Sequence, residues 1–426
     1  MNGVRKPLVA ACAVSLGILI ASFVPGVRKT LAGTNSSREV TSDVCGVKRI
    51  GVYQPYKCSQ GSSTTDSDGI PFSEWLDKYW DESFELQNSL LLVRHCSRYP
   101  TVGESNLEKL IKLFKPKSPI RNALESVKDK NMDFEQLTAK GKNEAFEIGE
   151  YLRIMLPLMH GSLKAENVQA SCSSIDRTCH TVERILQGLI GVENTKSVGI
   201  KRGDFLRQDQ DVLDDSTPEF LVDLEKDYSK KIFSKFQDQL RDGAEISPSD
   251  WFMIAKTLEI NDIIYDENIL RSLFTTEDIN NIDQFIEIER YHMQSLGNAK
   301  SKKDTSKLVG EIISNIGAMQ SESSAIKFTI FGSHDNNIIA LIDYMDWWNK
   351  DDGSKRSKGD YTSISIPKCS NLQFLVFSKP GASERYLLTL QNGRVRPLSK
   401  TLRYGEDKSY NLEEFLGEMK QSIANY

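Results

Sequence analysis

Leu90-Leu91-Leu92-Val93-Arg94-His95-Cys96-Ser97-Arg98-Tyr99-Pro100-Thr101 constrains this chain more than any other stretch. Four apolar residues run directly into two arginines that bracket a histidine, and Pro100 keeps the segment from continuing as a helix. A buried strand ending in a charged loop is predicted. Arg94 and Arg98 carry fixed cations whose planar forks of donors match phosphate oxygens. His95 between them can attack phosphorus while its ring nitrogen is neutral. On these residues alone, a surface loop whose arginines pair with carboxylates competes with that reading.

The pattern recurs late in the chain. Ala325–Phe331 is a second apolar strand, followed by Gly332-Ser333-His334-Asp335-Asn336 and a helical pattern to Ile342. Together the two stretches resemble the histidine acid phosphatase family, marked by Arg-His-Gly-x-Arg-x-Pro early and His-Asp late. Tyr99-Pro100-Thr101 extends the likeness to the branch of fungal-type acid phosphatases and phytases. Between them, Val168–Ser171 reads as a short strand that leads through Cys-Ser-Ser-Ile-Asp176-Arg177-Thr178 into a helix. The family has a serine-rich segment ending in Arg-Thr here, which makes Arg177 a third phosphate-binding arginine.

The resemblance implies an α/β, phosphoglycerate-mutase-like fold: a mixed, mostly parallel sheet with helices on both faces plus a helical cap domain. The expected core is 43–195 with 300–426, and the cap insertion is 196–299. Phe220, Leu221, Leu224, Tyr228, Ile232, Phe236 and Leu240 follow helical spacing there, as do segments within 261–273 and 279–293, so the aromatic stripe reads as a core face. Ser370–Phe377 and Tyr386–Leu390 read as two late strands, with Asn392-Gly393 as a turn.

What the resemblance implies chemically is a hydrolase of phosphate monoesters, with inositol polyphosphates as a particular substrate class. His95 would form a covalent phosphohistidine and Asp335 would protonate the leaving alcohol. Arg94, Arg98, Arg177 and His334 would hold the phosphate. No metal or other cofactor is expected. An unperturbed aspartic acid has a pKa of roughly 3.9, so acidic pH should favour turnover.

The family's glutamate is absent from the first late strand, where Gln373 and Leu375 stand, and the main departure from the pattern is at Cys96. Cys96 stands where the family has glycine, which allows close backbone approach and positive φ, so reduced or altered activity is expected. Cys96 is also the sole support for an alternative of another class, a non-catalytic lumenal or surface protein that binds phosphate-bearing ligands. Cysteine phosphatases place five residues between thiolate and arginine, whereas four separate Cys172 from Arg177. A phosphoglycerate mutase relative would share the Arg-His-Gly start but not the export segment, the helical insertion or the His-Asp pair.

That export segment is the uncharged run Leu8–Val24, flanked by Arg5-Lys6 and Arg28-Lys29. Residues 1–32 read as a signal peptide or a signal anchor, giving a single N-terminal membrane anchor in the second case. The chain is accordingly expected in the secretory pathway, in an organelle lumen, at the cell surface or outside the cell. Asn35-Ser36-Ser37 is a glycosylation sequon. Cys45, Cys58, Cys96, Cys172, Cys179 and Cys369 remain in the exported part, and six thiols allow fifteen complete pairings. The resemblance implies an early Cys45–Cys58 bridge. With a net charge of −5 the chain has no nucleic-acid character, so a small phosphorylated substrate must be drawn in by a local basic pocket.

Overall fold

The computed structural model describes residues 70–80, 84–100, 104–130, 133–156, 163–203, 218–294, 299–318, 325–344, 368–379, 381, 383–396 and 404–424. The Leu8–Val24 run, the Asn35 sequon, the Cys45–Cys58 pairing and the charged loop 351–360 lie outside them.

Among the described residues nine strands form one sheet: β1 (Ile70–Pro71), β2 (Glu85–Arg94), β3 (Val168–Cys172), β4 (Ile200–Arg202), β5 (Phe328–Ser333), β6 (Asn371–Ser378), β7 (Arg385–Gln391), β8 (Arg394–Val395) and β9 (Tyr410–Asn411). Their order is β1-β8-β7-β6-β2-β5-β3-β4, with β9 beside β7. The predicted apolar strands are the central ones, and every residue of β5 is buried. The sheet is mixed, as expected, but it is not mostly parallel; its parallel part is the half that carries the motifs. Three pairings are parallel, β2–β5, β5–β3 and β3–β4; the other five are antiparallel. Connection length explains the division. Helices link the parallel strands, whereas β7 turns straight into β8 at Asn392-Gly393, with φ of 51° and 75°, the left-handed pair that suits a tight hairpin.

Ten of the helices matter here: α1 (Glu104–Leu113), α2 (Pro119–Lys128), α3 (Ala139–Met155), α4 (Asp176–Ile190), α5 (Glu219–Phe233), α6 (Pro248–Tyr265), α7 (Thr276–Gln294), α8 (Ala299–Ala318), α9 (Asp335–Tyr344) and α10 (Leu412–Ala424). Leu308, Ile312 and Ile316 of α8, Ile338 and Leu341 of α9 and Phe415 of α10 share one apolar cluster with Leu90, Leu92, Phe331 and Phe374 of the sheet. On the opposite face α4 packs on β3 and β5, with α3 against α4. Strand alternation directs successive side chains of each buried strand to these two layers.

A second cluster lies away from the sheet. Phe233, Phe236, Trp251, Phe252, Leu258, Phe274, Ile282 and Phe285 pack there with Leu107, Phe114, Leu124 and Val127, and the Phe233 and Trp251 rings stack at 5.1 Å. From Leu224 to Leu240 the stripe is thus a core face, whereas Phe220 at its start is exposed and Leu221 packs with Ile288 in a small separate cluster; α1 and α2 from the first half of the chain share the larger core. The helical pattern within 261–273 is broken at Asp266, whose φ of 55° ends α6. Asp262 then accepts from the Ile269 and Leu270 amides at 2.9 Å each, capping a short helix at Ile269–Leu273. Among the described residues no helix is long and apolar enough to cross a membrane.

Candidate active site

Register brings the motifs together. Arg94 pairs with Ser333 across β2 and β5, and Cys172 pairs with Gly332 across β3 and β5. Three parallel strands therefore end level, and His95, His334 and Ser173 are the next residues on their carboxyl edge, where open α/β sheets bind ligands. The His95 amide donates to Ser333 O at 2.9 Å and the Ser173 amide to Gly332 O at 3.1 Å. Because β6 is antiparallel to β2, the residues that precede it reach this same edge. Ser370 O accepts from the Arg94 amide at 2.8 Å, and the Cys369 amide donates to His95 O at 3.4 Å.

His95 is 3% exposed. Its Nδ1 lies 3.0 Å from Cys96 O. A carbonyl can only accept, so Nδ1 carries the ring proton and Nε2 keeps its lone pair. Burial, followed by the charges of Lys368, Arg98, Arg177 and Arg94, holds the His95 pKa well below the usual histidine value. The imidazole stays neutral, hence nucleophilic, into the acid range.

His334 sits with its ring centroid 5.6 Å from that of His95. Its protonation follows from a hydrogen-bond chain. Thr178 Oγ1 donates to Ile175 O at 2.8 Å, so at its 2.9 Å contact with Ser173 Oγ it accepts. Having spent its proton there, Ser173 Oγ accepts from His334 Nε2, 2.9 Å away. Burial and the charge of Arg177 lower the His334 pKa to about 3, so the ring is neutral above that pH, with Nε2 protonated and Nδ1 bare.

Arg94 is 1% exposed and its Nη2 lies 3.0 Å from Asp335 Oδ2. Asp335 opens α9, where a carboxylate complements the helix dipole. Arg177 occupies the opposite situation: a buried cation in the first turn of α4, unfavourable for both dipole and solvation. Burial and Arg98 lower its pKa to about 10, while Glu135, 3.6 Å away, and Asp335 act the other way. Arg98 Nη1 donates to Tyr99 O at 2.8 Å. All six residues expected from the sequence, Arg94, His95, Arg98, Arg177, His334 and Asp335, lie along this edge.

Helix α3 fixes the loop beneath them. Thr138 caps it by accepting from the Gly141 amide at 2.9 Å, and Ser97 O accepts from the Thr138 amide at 3.0 Å. A Cβ on Gly141 would fall 1.9 Å from Ser97 O, so only glycine permits this approach. Glu144 Oε2 accepts from the Ser97 amide at 3.1 Å, and burial raises its pKa. Gly332 serves the other side: a Cβ there would fall 2.6 Å from Thr178 O, and its absence lets α4 lie close on β5.

Cys96 keeps a negative φ, so the freedom of a glycine is not used at this position. Its side chain is fully buried in a disulfide with Cys369. A second bridge, Cys172–Cys179, joins the end of β3 to α4. The sequence left both pairings open, and it missed Lys368, a buried cation beside Cys369. Lys368 precedes a strand, whereas the motifs follow theirs; the adjacent Cys369 was the only signal there. Glu135 and Glu144 also went unnoticed, as single polar residues without a pattern, and Ser173 and Thr178, though inside the serine-rich segment around Arg177, carried no role there.

A family model described as histidine phosphatase superfamily (branch 2) matches residues 85–378. The chain belongs to that superfamily branch. Among solved structures, this histidine phosphatase is similar to the phytase from D. castellii, with a TM-score of 0.64 and 16% identity over 94% of this chain and 90% of the other. It is also similar to the multiple inositol polyphosphate phosphatase of Bifidobacterium longum in complex with inositol hexasulfate, with a TM-score of 0.60 and 13% identity over 87% of this chain and 97% of that one. A third, the Hafnia alvei phytase in complex with myo-inositol hexakis sulphate, gives 0.55 and 12% over 80% and 97%. At such identities the likeness is one of fold. No curated protein sequence matches the chain.

Proposed function

We propose that this histidine phosphatase is an acid phosphatase that hydrolyses phosphate monoesters through a phosphohistidine on His95. The observation that carries the reading is a neutral His95, protonated on Nδ1 through Cys96 O, among Arg94, Arg98 and Arg177. Nε2 attacks phosphorus, the ester P–O bond breaks, and the Asp335 carboxyl gives its proton to the leaving oxygen. Water then attacks the phosphohistidine with Asp335 taking its proton, releasing phosphate and restoring His95. The guanidinium groups neutralise the phosphoryl oxygens throughout.

Arg94 pairs with Asp335 at 3.0 Å. A phosphoryl group competing for that guanidinium frees the carboxyl for the leaving group. His334 donates to phosphate through Nδ1 only as an imidazolium, and a bound dianion favours that form. Both effects tie activity to acidic pH. With its side chain buried in a disulfide to Cys369 and its φ negative, Cys96 supports the catalytic reading over a non-catalytic one. The two disulfides among the described residues fit an oxidising compartment, extracellular or lumenal.

Inositol polyphosphates are the first substrate class to try, given that structural neighbours are phytases and an inositol polyphosphate phosphatase. The deciding experiment is turnover of p-nitrophenyl phosphate and inositol hexakisphosphate from pH 3 to pH 8, with acid quench to trap a phosphorylated enzyme. Acid-favoured turnover and trapping, both absent in His95→Ala, support the reading; turnover that survives in His95→Ala overturns it.

A further inference from the structure

The segment leading into α3 lies antiparallel to the nucleophile loop, with Leu137 opposite Arg98. The Glu135 amide donates to Pro100 O at 3.0 Å, the Tyr99 amide to Gln136 O at 2.9 Å and the Thr138 amide to Ser97 O at 3.0 Å. Glu135 is thereby fixed to the loop that carries His95 and Arg98. Its φ is 68°, in the left-handed region that glycine occupies freely and a residue with a Cβ occupies only where its surroundings hold it. From that position Glu135 Oε2 lies 3.6 Å from Arg177 Nη1, an ion pair rather than a hydrogen bond. The arginine side chain is 6% exposed and the carboxylate side chain 52%, which puts the carboxylate on the solvent side of the guanidinium.

We propose that Glu135 is a specificity-determining residue of the His95 site, whose carboxylate disfavours substrates carrying further phosphates beside the reacting one. The inference rests on the reading of that site as a phosphoryl pocket and narrows its substrate class towards monoesters with a single phosphate on a neutral or cationic leaving group. Arg94, His95, Arg177 and His334 are buried. A phosphoryl group bound among them leaves the rest of the substrate on the open side, where Glu135 stands.

Charge at two depths gives the selection. The reacting phosphoryl group meets the arginines at close range, and their attraction outweighs one half-exposed carboxylate. A second phosphate, on a neighbouring carbon of the leaving group, lies further out than the buried arginines and meets the carboxylate instead. Like charges so placed repel, and each added phosphate enlarges the sum; such a repulsive element separates substrates that share the same reacting group. Polyphosphates are disfavoured by this charge rather than excluded. The carboxylate also opposes the lowering of the Arg177 pKa by burial and by Arg98. A role confined to that pairing would make its removal equally harmful to every phosphate ester.

The test uses the full-length chain and two substrates on one scaffold, myo-inositol 1-phosphate and inositol hexakisphosphate, at a single pH and low ionic strength. Glu135→Gln keeps the size of the side chain and removes its charge. It is expected to raise kcat/KM for the hexakisphosphate relative to the monophosphate by about fivefold or more, mainly through KM. Glu135→Asp keeps the charge and is expected to hold that ratio within about twofold of wild type. Added salt should shrink the difference between Glu135→Gln and wild type, because the repulsion is screened. A ratio that is unchanged or lower in Glu135→Gln, including equal losses on both substrates, overturns the proposal. The same comparison runs without turnover, as the rise in Tm given by inorganic sulfate and by inositol hexasulfate in His95→Ala with and without Glu135→Gln. A larger gain for the hexasulfate is expected in the double variant, and equal gains count against the proposal. If His95→Ala retains activity, the phosphohistidine reading fails while these ratios still judge Glu135.

Discussion

Arg94 Nη2 and Asp335 Oδ2 lie 3.0 Å apart, joining the end of one central strand to the first turn of the helix that follows another. On the proposed mechanism this carboxyl serves the leaving group rather than the nucleophile. Asp335→Asn should therefore lower kcat/KM for an alkyl phosphate by about 10²-fold or more, the usual worth of general-acid help. For p-nitrophenyl phosphate, whose leaving group departs unaided, the loss should be much smaller. Equal losses on the two substrates would remove Asp335 from that role.

The His334 pKa of about 3 makes a statement about stability. A histidine whose folded pKa is depressed contributes fully above the unfolded value of about 6.5, and that contribution drains away as pH falls towards the folded pKa. The slope is roughly 1.4 kcal/mol per pH unit within this window. Without phosphate, Tm should fall from pH 6.5 downward, and phosphate should offset the fall by favouring the imidazolium. His334→Asn should flatten the phosphate-free curve, which scanning calorimetry at several pH values would reveal.

Glu144 has the opposite sign. Its raised pKa means that stability present below the unfolded carboxyl value is lost as pH rises through the folded value. Glu144→Gln keeps an oxygen to accept from the Ser97 amide and should unfold at higher temperature than wild type near neutral pH. That advantage should vanish near pH 4.

Gly141 offers a test through packing alone. The Cβ of Gly141→Ala would meet Ser97 O, so α3 must move away from the loop that bears His95. Overpacking of this kind costs roughly 1–3 kcal/mol. Urea unfolding should show that loss, and kcat should fall with it because Ser97 lies two residues from the nucleophile. A stability loss with unchanged kcat would mean that the loop is held by other contacts.

The two disulfides close loops of very different length, with separations of 273 and 7 residues. Chain-entropy reasoning assigns roughly 5–6 kcal/mol to the long bridge and about 2.5 kcal/mol to the short one. Cys96→Ser with Cys369→Ser should therefore reduce the urea midpoint more than Cys172→Ser with Cys179→Ser. The short bridge brackets Ser173 and Arg177, so its loss should raise KM instead.

The legible parts of this fold and site share one property: each is local in sequence. Leu90–Val93 and Phe328–Phe331 announce buried strands by composition, and the charged residues directly after each strand announce the site, since the carboxyl edge of a parallel sheet is where consecutive residues emerge. Arg177 was visible for the same reason. Lys368 and Cys369 were not, because β6 is antiparallel and delivers to the site the residues before it, which no strand-then-loop pattern flags. The pairing of Cys96 with Cys369 depends on the alignment of β2 and β6, a property of the sheet rather than of either segment. The sharing of one core by α1, α2 and the helices from 219 onward is likewise a tertiary fact, written in no single amphipathic pattern.

The long bridge also sets a timetable for biogenesis. Cys96 emerges during synthesis 273 residues ahead of its partner, roughly 15–55 s at ordinary elongation rates. At the start of that interval Cys45 and Cys58 are already present, Cys172 and Cys179 join them well before its end, and Cys369 is not yet made. The chain therefore cannot be oxidised correctly by pairing thiols in order of appearance. Either Cys96 is sheltered by early burial in the α3–α4 layer, or a temporary bridge must be exchanged after the last quarter of the chain arrives, a step that an oxidising lumen with disulfide isomerase provides and a simple oxidising buffer does not.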